Sequence, residues 1–261
     1  MKQRVISAFV LLAIMIGSLL IDSKIFGLLM LFFAIIGFNE FFDIKYTEKS
    51  KKLGLIKIVG ILCLVIIALN NTFYKLELNV VVLLPLLVLG LPIVFYNDSK
   101  VYNIMDFLYC LGIVYFLGFS FGNIINMADT SLVKCIFIFL IAFMTDTYAY
   151  IGGMLIGRHK LTSISPKKTI EGSIVGTFMG VIIGSVYYYN LVSGVTMFET
   201  IILCLVLTLL SEFGDLFFSS IKRYFDKKDY SNLIPGHGGI LDRFDSVIYV
   251  SLGLSLILSM F

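Results

Sequence analysis

Between Ser219 and Asp245 the chain reads SSIKRYFDKKDYSNLIPGHGGILDRFD, which gathers five Lys/Arg, four Asp, three Gly, one Pro and one His within 27 positions. The chain as a whole is 59% hydrophobic and 14% charged. These residue types suit phosphate and metal chemistry at a bilayer surface. Pro235-Gly236-His237-Gly238-Gly239 is a turn whose backbone can approach a ligand closely, and consecutive amide N–H groups in such a turn form an anion nest. It runs directly into an apolar helix, so a helix N-terminus points at the same place. Asp242 and Asp245 stand three apart on that helix's first turn, a spacing that suits a hard cation such as Mg²⁺. Lys222, Arg223, Lys227, Lys228 and Arg243 supply phosphate contacts. His237 could act as a general base, hydrogen-bond a phosphate or brace the loop.

Three further constellations accompany this one. In SEFGDLFFSSIKR the positions Ser211/Glu212, Asp215, Ser219 and Lys222/Arg223 recur every three or four residues and share one helix face. A polar stripe on a membrane helix faces the bundle interior. Asp146, in FMTDTYAYIGG, is a carboxylate in mid-span, at a cost of roughly 2.5–3.5 kcal/mol on insertion scales. It lies about 16 Å below the end of its helix, a depth at which it can share a cavity with Asp215. The loop GRHKLTSISPKKTIEG supplies Lys160, Lys167 and Lys168. Its Ser165-Pro166 reads as a helix cap and first position, which sets two lysines against the helix dipole and points to an anionic partner. Helix packing for the two carboxylates, and simple charge asymmetry for the lysines, are the alternatives.

The elements that must position these residues are membrane helices. Mean hydropathy is +1.00, far above that of soluble proteins. Apolar runs near 5–21, 25–42, 54–70, 79–96, 104–125, 132–156, 171–191, 198–221 and 244–261 match the length needed to cross a ~30 Å hydrocarbon core. Period-2 alternation is absent, which argues against a β-barrel. The reading is an all-α polytopic protein of about nine spans, in two stretches: scaffold helices over 1–130 and catalytic helices over 131–261, with polar loops 157–170 and 222–243. With the N-terminus in the cytoplasm, 17 of the 20 Lys/Arg lie in cytoplasmic segments and only Lys24, Lys75 and Lys134 lie outside. That bias predicts N-in and C-out, with the polar loops in the cytoplasm. Glu40 and Asp106 fall near predicted cytoplasmic ends and read as side chains reaching for the interface. Lys2 and Arg4 before an apolar core resemble a signal peptide, but no small-x-small cleavage site follows, so the segment reads as an uncleaved first span. The four cysteines stand singly in apolar runs, as buried thiols rather than zinc ligands or disulfides. No P-loop, dinucleotide fingerprint or HExxH is present, and no basic stripe with interleaved aromatics suggests a nucleic acid.

Residues 219–245 resemble the signature of the phosphatidate cytidylyltransferases, or CDP-diacylglycerol synthases. It falls on Ser219, Lys222, Arg223, Lys228, Asp229, Ser231, Ile234, Pro235, His237, Gly238, Gly239, Asp242, Arg243 and Asp245. A second stretch of the resemblance covers Asp146, Ala149, Tyr150, Lys160, Ser165, Pro166, Lys168, Thr169, Glu171 and Gly172. The first half is similar to the family only in hydropathy and span count. One position departs: Phe218 stands where the family often has Glu.

The resemblance implies that CTP and phosphatidic acid react to CDP-diacylglycerol and pyrophosphate. A phosphate monoester is already a nucleophile, so the protein's task is to bring two polyanions together and neutralise their charge. On this basis Asp215, Asp242 and Asp245 are expected to hold Mg²⁺, with Asp146 as a further ligand. A two-cation site, its second ion divalent or monovalent, fits such a reaction. Lys222 and Arg223 are expected in catalysis. Ser219, Lys160, Lys168, Lys228, His237, Gly238, Gly239 and Arg243 are expected to bind substrate or phosphate. The bilayer is the expected partner, a homodimer is common for the family's membrane fold, and a bacterial plasma membrane with a cytoplasm-facing site is the expected location. A CTP-dependent lipid kinase of the dolichol-kinase type and an ion or phosphate transporter are the competing readings. Product identity, or flux without CTP turnover, separates them.

Overall fold

In lipid a backbone must satisfy its own polar groups, and an apolar run does so as a helix. The computed structural model, which describes residues 2–46, 53–95, 101–234, 236 and 238–260, is helical accordingly. Among these residues nine helices follow in order: α1 (Lys2–Ile21), α2 (Ser23–Tyr46), α3 (Gly54–Leu69), α4 (Leu78–Phe95), α5 (Ile104–Thr130), α6 (Leu132–Ile156), α7 (Ile170–Leu191), α8 (Met197–Tyr224) and α9 (Leu241–Leu258). Seven are long and apolar enough to cross a membrane: α2, α3 with the π turn that extends it to Tyr74, and α4 to α8. The nine expected spans thus correspond to nine helices, of which the outer two are marginal. In α1 the apolar stretch is Phe9–Ile21. In α9 the first five residues include Asp242, Arg243 and Asp245.

Polar side chains set where the helices begin. Ser131 caps α6 by accepting from Lys134 N. Thr196 and Glu199 form a reciprocal capping box on α8. Asn103 accepts from the amides of Met105 and Asp106, and Asp106 accepts in return from Asn103 N at 3.1 Å, which starts α5. For α7 the outcome differs from the sequence reading. Its cap is Thr169, which accepts from Gly172 N at 3.1 Å, not Ser165. The residues before it pair across a short hairpin, with Leu161 N donating to Lys168 O and Ile170 N to His159 O. That pairing holds Lys167 and Lys168 out of the helix, so neither opposes its dipole.

The chain divides into two compact units. Residues 1–129 and 229–241 make one, and residues 130–228 and 242–261 the other. The first has an aromatic core that includes Phe26, Phe38, Phe42 and Phe121. Glu40 and Asp106 were expected to reach for the interface, but they are buried at 5% and 6% exposure. Each is satisfied inside: Asp106 pairs with Lys45 at 2.9 Å and accepts from the Tyr46 hydroxyl. In the second unit α6 and α7 pack closely. A Cβ at Gly176 would lie 2.7 Å from the Thr145 carbonyl oxygen, so the two backbones touch there. Glu212 of α8 accepts from Ser173 and Thr177 of α7. The four cysteines are free and buried.

Candidate active site

Three carboxylates and a lysine come together in the second unit. Asp146 comes from the middle of α6, Asp215 from α8, Asp245 from the start of α9 and Lys168 from the hairpin before α7. Asp146, Asp215 and Asp245 lie within electrostatic reach of one another. Lys168 Nζ pairs with Asp215 Oδ2 at 2.6 Å. Burial works against the Lys168 ammonium, but Asp215, with Asp146 and Asp245, holds its pKa above the ordinary lysine value. The approach of α9 depends on Gly214, where a Cβ would lie 2.7 Å from the Asp245 carbonyl oxygen. Tyr249 then packs edge-on against Phe213 and Phe217, with ring centroids 5.3 and 5.5 Å away.

The polar stripe on α8 faces inward. Ser211, Glu212, Ser219 and Lys222 are buried and Asp215 half-buried, while Arg223 turns out to solvent. Ser219 donates to Asp215 Oδ1 at 3.3 Å. Lys222 Nζ meets Asp242 Oδ1 at 2.6 Å, with only 11% and 3% of the two side chains exposed. Asp242 is therefore engaged by a lysine of its own unit. Arg223 donates to the Lys227 carbonyl. Lys160, Lys228 and Arg243 are exposed. Phe218, the one departure from the resembling pattern, is fully buried.

Glu171 also matters to the local geometry. It accepts from Arg158 N at 3.0 Å and His159 N at 3.2 Å, and its other oxygen meets His159 Nδ1. It thereby fixes the chain as it leaves α6. Its place in the matched stretch was the only sequence signal for this.

Residues 229–241 belong to the first unit. Ile234 and Gly238 pair as a bridge, Ile234 N donating to Gly238 O at 2.8 Å. Gly236 and Gly238 have φ of 77° and 82°, values that side chains rarely adopt. Gly239 is buried against the Glu40 carboxylate. Pro235 and His237 lie outside the described residues, so the reading of His237 stands as a sequence expectation. Glu40 was not among the residues singled out for function, because its position near a helix end had a simpler explanation.

The donor set bears on whether a cation fits. Asp146, Asp215 and Asp245 offer only oxygen, the ligand type of hard cations. Lys168 pairs with one of the three, Asp215. Among the described residues no three His, Cys, Asp or Glu side chains converge closely enough to hold an ion by themselves. Mg²⁺ is usually held by one or two carboxylates together with substrate phosphates rather than by an all-protein cage. The oxygen donors here are of the type that shared mode would use.

The fold defines a class, a multi-pass helical membrane protein with acidic and basic side chains gathered inside a helix bundle. The model of the "Cytidylyltransferase family" matches residues 2–261, so the chain belongs to that family and is an enzyme of that type. Similar proteins include "Phosphatidate cytidylyltransferase" of Staphylococcus saprophyticus, 30% identical over 260 residues. The protein of the same name in Staphylococcus aureus (strain COL) is 31% identical over 260 residues, and that in Staphylococcus epidermidis (strain ATCC 35984) is 32% identical over 263. In each case the match covers 99% of both chains.

Proposed function

We propose that this protein transfers CMP from CTP to phosphatidate, giving CDP-diacylglycerol and pyrophosphate. The observation that carries the reading is similarity over 99% of the chain to relatives named for that activity. An oxygen of the lipid phosphate attacks the α-phosphorus of CTP. A P–O bond forms there, the α–β bridging bond breaks, and pyrophosphate leaves with its electron pair.

The chain's own residues have two tasks in this step, to hold phosphates and to balance charge. Lys168, Lys222, Arg223, Lys228, Arg243 and Lys160 are the proposed phosphate contacts, with the hydroxyl of Ser219; in the first unit the amide of Gly238 is a further candidate, whereas Gly239 is buried against Glu40. Lys168 and Lys222 are set by Asp215 and Asp242, at 2.6 Å in each case. Each ammonium group would exchange its carboxylate for a phosphate when the polyanions arrive. One or two of Asp146, Asp215 and Asp245 would hold Mg²⁺ together with substrate phosphates, with Asp242 a further ligand if Lys222 moves to a phosphate. The ion would neutralise phosphate oxygens and charge on the leaving pyrophosphate. The site faces the cytoplasm of a bacterium in this reading, since the Lys/Arg bias places the polar loops there.

Purified protein in detergent, given CTP, phosphatidate and Mg²⁺, should yield CDP-diacylglycerol and pyrophosphate in equal amounts. Asp245→Asn should lower the rate at least 100-fold without unfolding the protein, and chelation should stop the reaction. Phosphorylated lipid with CDP as the second product would overturn the reading in favour of a lipid kinase. Ion flux without CTP turnover would overturn it in favour of a transporter.

A further inference from the structure

The carboxylate of Glu40 is buried among hydrogen-bond donors in the first unit, and nothing in the reaction as described uses it. It is 5% exposed. Its Oε1 accepts from the Ser231 hydroxyl at 2.7 Å and from Ile240 N at 2.9 Å, and its Oε2 accepts from Leu241 N at 2.9 Å. Ile240 and Leu241 are the residues at which α9 begins, where amides have no partner within the helix. A carboxylate there is favoured by the helix dipole as well as by the two hydrogen bonds. These donors offset the cost of burying the charge.

The contacts around it form one pattern. Gly37, Glu40 and Phe41 lie on one face of α2, three and four residues apart. A Cβ at Gly37 would come within 2.9 Å of the Leu241 side chain. Phe41 packs edge-on against Tyr230, centroids 5.2 Å apart. A Cβ at Gly239 would overlap the Glu40 carboxylate. Both ends of the segment, at Tyr230–Ser231 and at Gly239–Leu241, are thus tied to one face of α2. Between them, Asn232, Leu233 and Gly236 are exposed.

We propose that Glu40 is a positioning residue: by joining Ser231 to the amides of Ile240 and Leu241 it sets the 231–241 loop and the starting register of α9. The inference rests on the reading above only in that this loop carries the proposed phosphate contact Gly238, and α9 the proposed ligand Asp245. It also gives Gly239 a reason to be glycine that is independent of any ligand. A carboxylate suits the place because Ser231 and the amides of Ile240 and Leu241 all donate to it. Glutamine keeps the shape but presents an NH₂ to at least one of these donors, and aspartate is one methylene too short to reach all of them.

The test compares wild type with Glu40→Gln, Glu40→Asp, Ser231→Ala and the double variant Glu40→Gln/Ser231→Ala, by turnover and by amide hydrogen exchange. Glu40→Gln should lower kcat with CTP and phosphatidate at least tenfold per folded molecule, and Glu40→Asp should not restore it. Adding Ser231→Ala to Glu40→Gln should cost less than it does in wild type, because the arrangement that Ser231 helps to hold is already weakened. Exchange at Ile240 and Leu241 should accelerate at least tenfold, while amides in the middle of α2 and α5 keep their protection. Wild-type kcat in folded Glu40→Gln, or unchanged exchange at Ile240 and Leu241, would overturn the inference. Should wild type itself form no CDP-lipid, the functional reading fails, and the exchange measurement still decides the role of Glu40.

Discussion

Lys222 and Asp242 illustrate how much a single contact changes the reading of a residue. From spacing, one is a phosphate ligand and the other a metal ligand. In the structure each is the other's partner at 2.6 Å, and both are buried. Removing one member of such a pair takes this contact from the other's buried charge, at a cost of up to about 3–5 kcal/mol. Lys222→Met should therefore destabilise the protein by that order in detergent melts, and Lys222→Met/Asp242→Asn should recover most of the loss. Phe218 carries a similar lesson. It is fully buried, so Phe218→Glu should cost ~3–5 kcal/mol rather than restore anything, measured as lost thermal stability. Lys168 makes a pH prediction. Its folded pKa is raised by Asp215, so the stability it contributes is fully present below the free lysine value of about 10.4. That contribution is lost as pH rises through the raised value. The melting-temperature gap between wild type and Lys168→Gln should hold steady from pH 7 to 9 and close only in strong alkali.

At the scale of elements, helix lengths and their order were legible because a bilayer admits few solutions for an apolar run. The predicted run 132–156 is α6 without adjustment, and the run 198–221 becomes α8 with one residue added before and three after. The start of α7 was not legible. Ser165-Pro166 has the chemistry of a cap, but the hairpin between His159 and Ile170 competes for the same backbone and moves the cap to Thr169. Close approaches were hidden as well, since a glycine gives no sign of what it faces. Gly176 lies against α6 with its Cβ position 2.7 Å from a backbone oxygen that cannot give way. Gly176→Ala should cost about 1–3 kcal/mol. Gly214→Ala should do the same and also lower turnover, because it would move α9 away from Asp215.

For the molecule as a whole, orientation in the membrane is the property with the clearest test. The four native cysteines are buried, so introduced cysteines can be read against a quiet background. Lys227→Cys should react with an impermeant maleimide only from the cytoplasmic side of oriented vesicles, and Lys75→Cys only from the opposite side. Reversed labelling would place the proposed active site on the wrong face for CTP.

The sequence by itself determined the membrane class, the helix order, the family resemblance and the residues on which a phosphate chemistry would rest. These follow from local properties: apolar length, periodicity and the types of residue at fixed offsets. Only the tertiary structure decided partners. It joined Lys168 to Asp215 and Lys222 to Asp242, and it set Glu40 against amides 200 residues further along the chain. A buried charge must find its counterpart wherever the fold supplies one, and offsets along a chain carry no record of which distant group that will be.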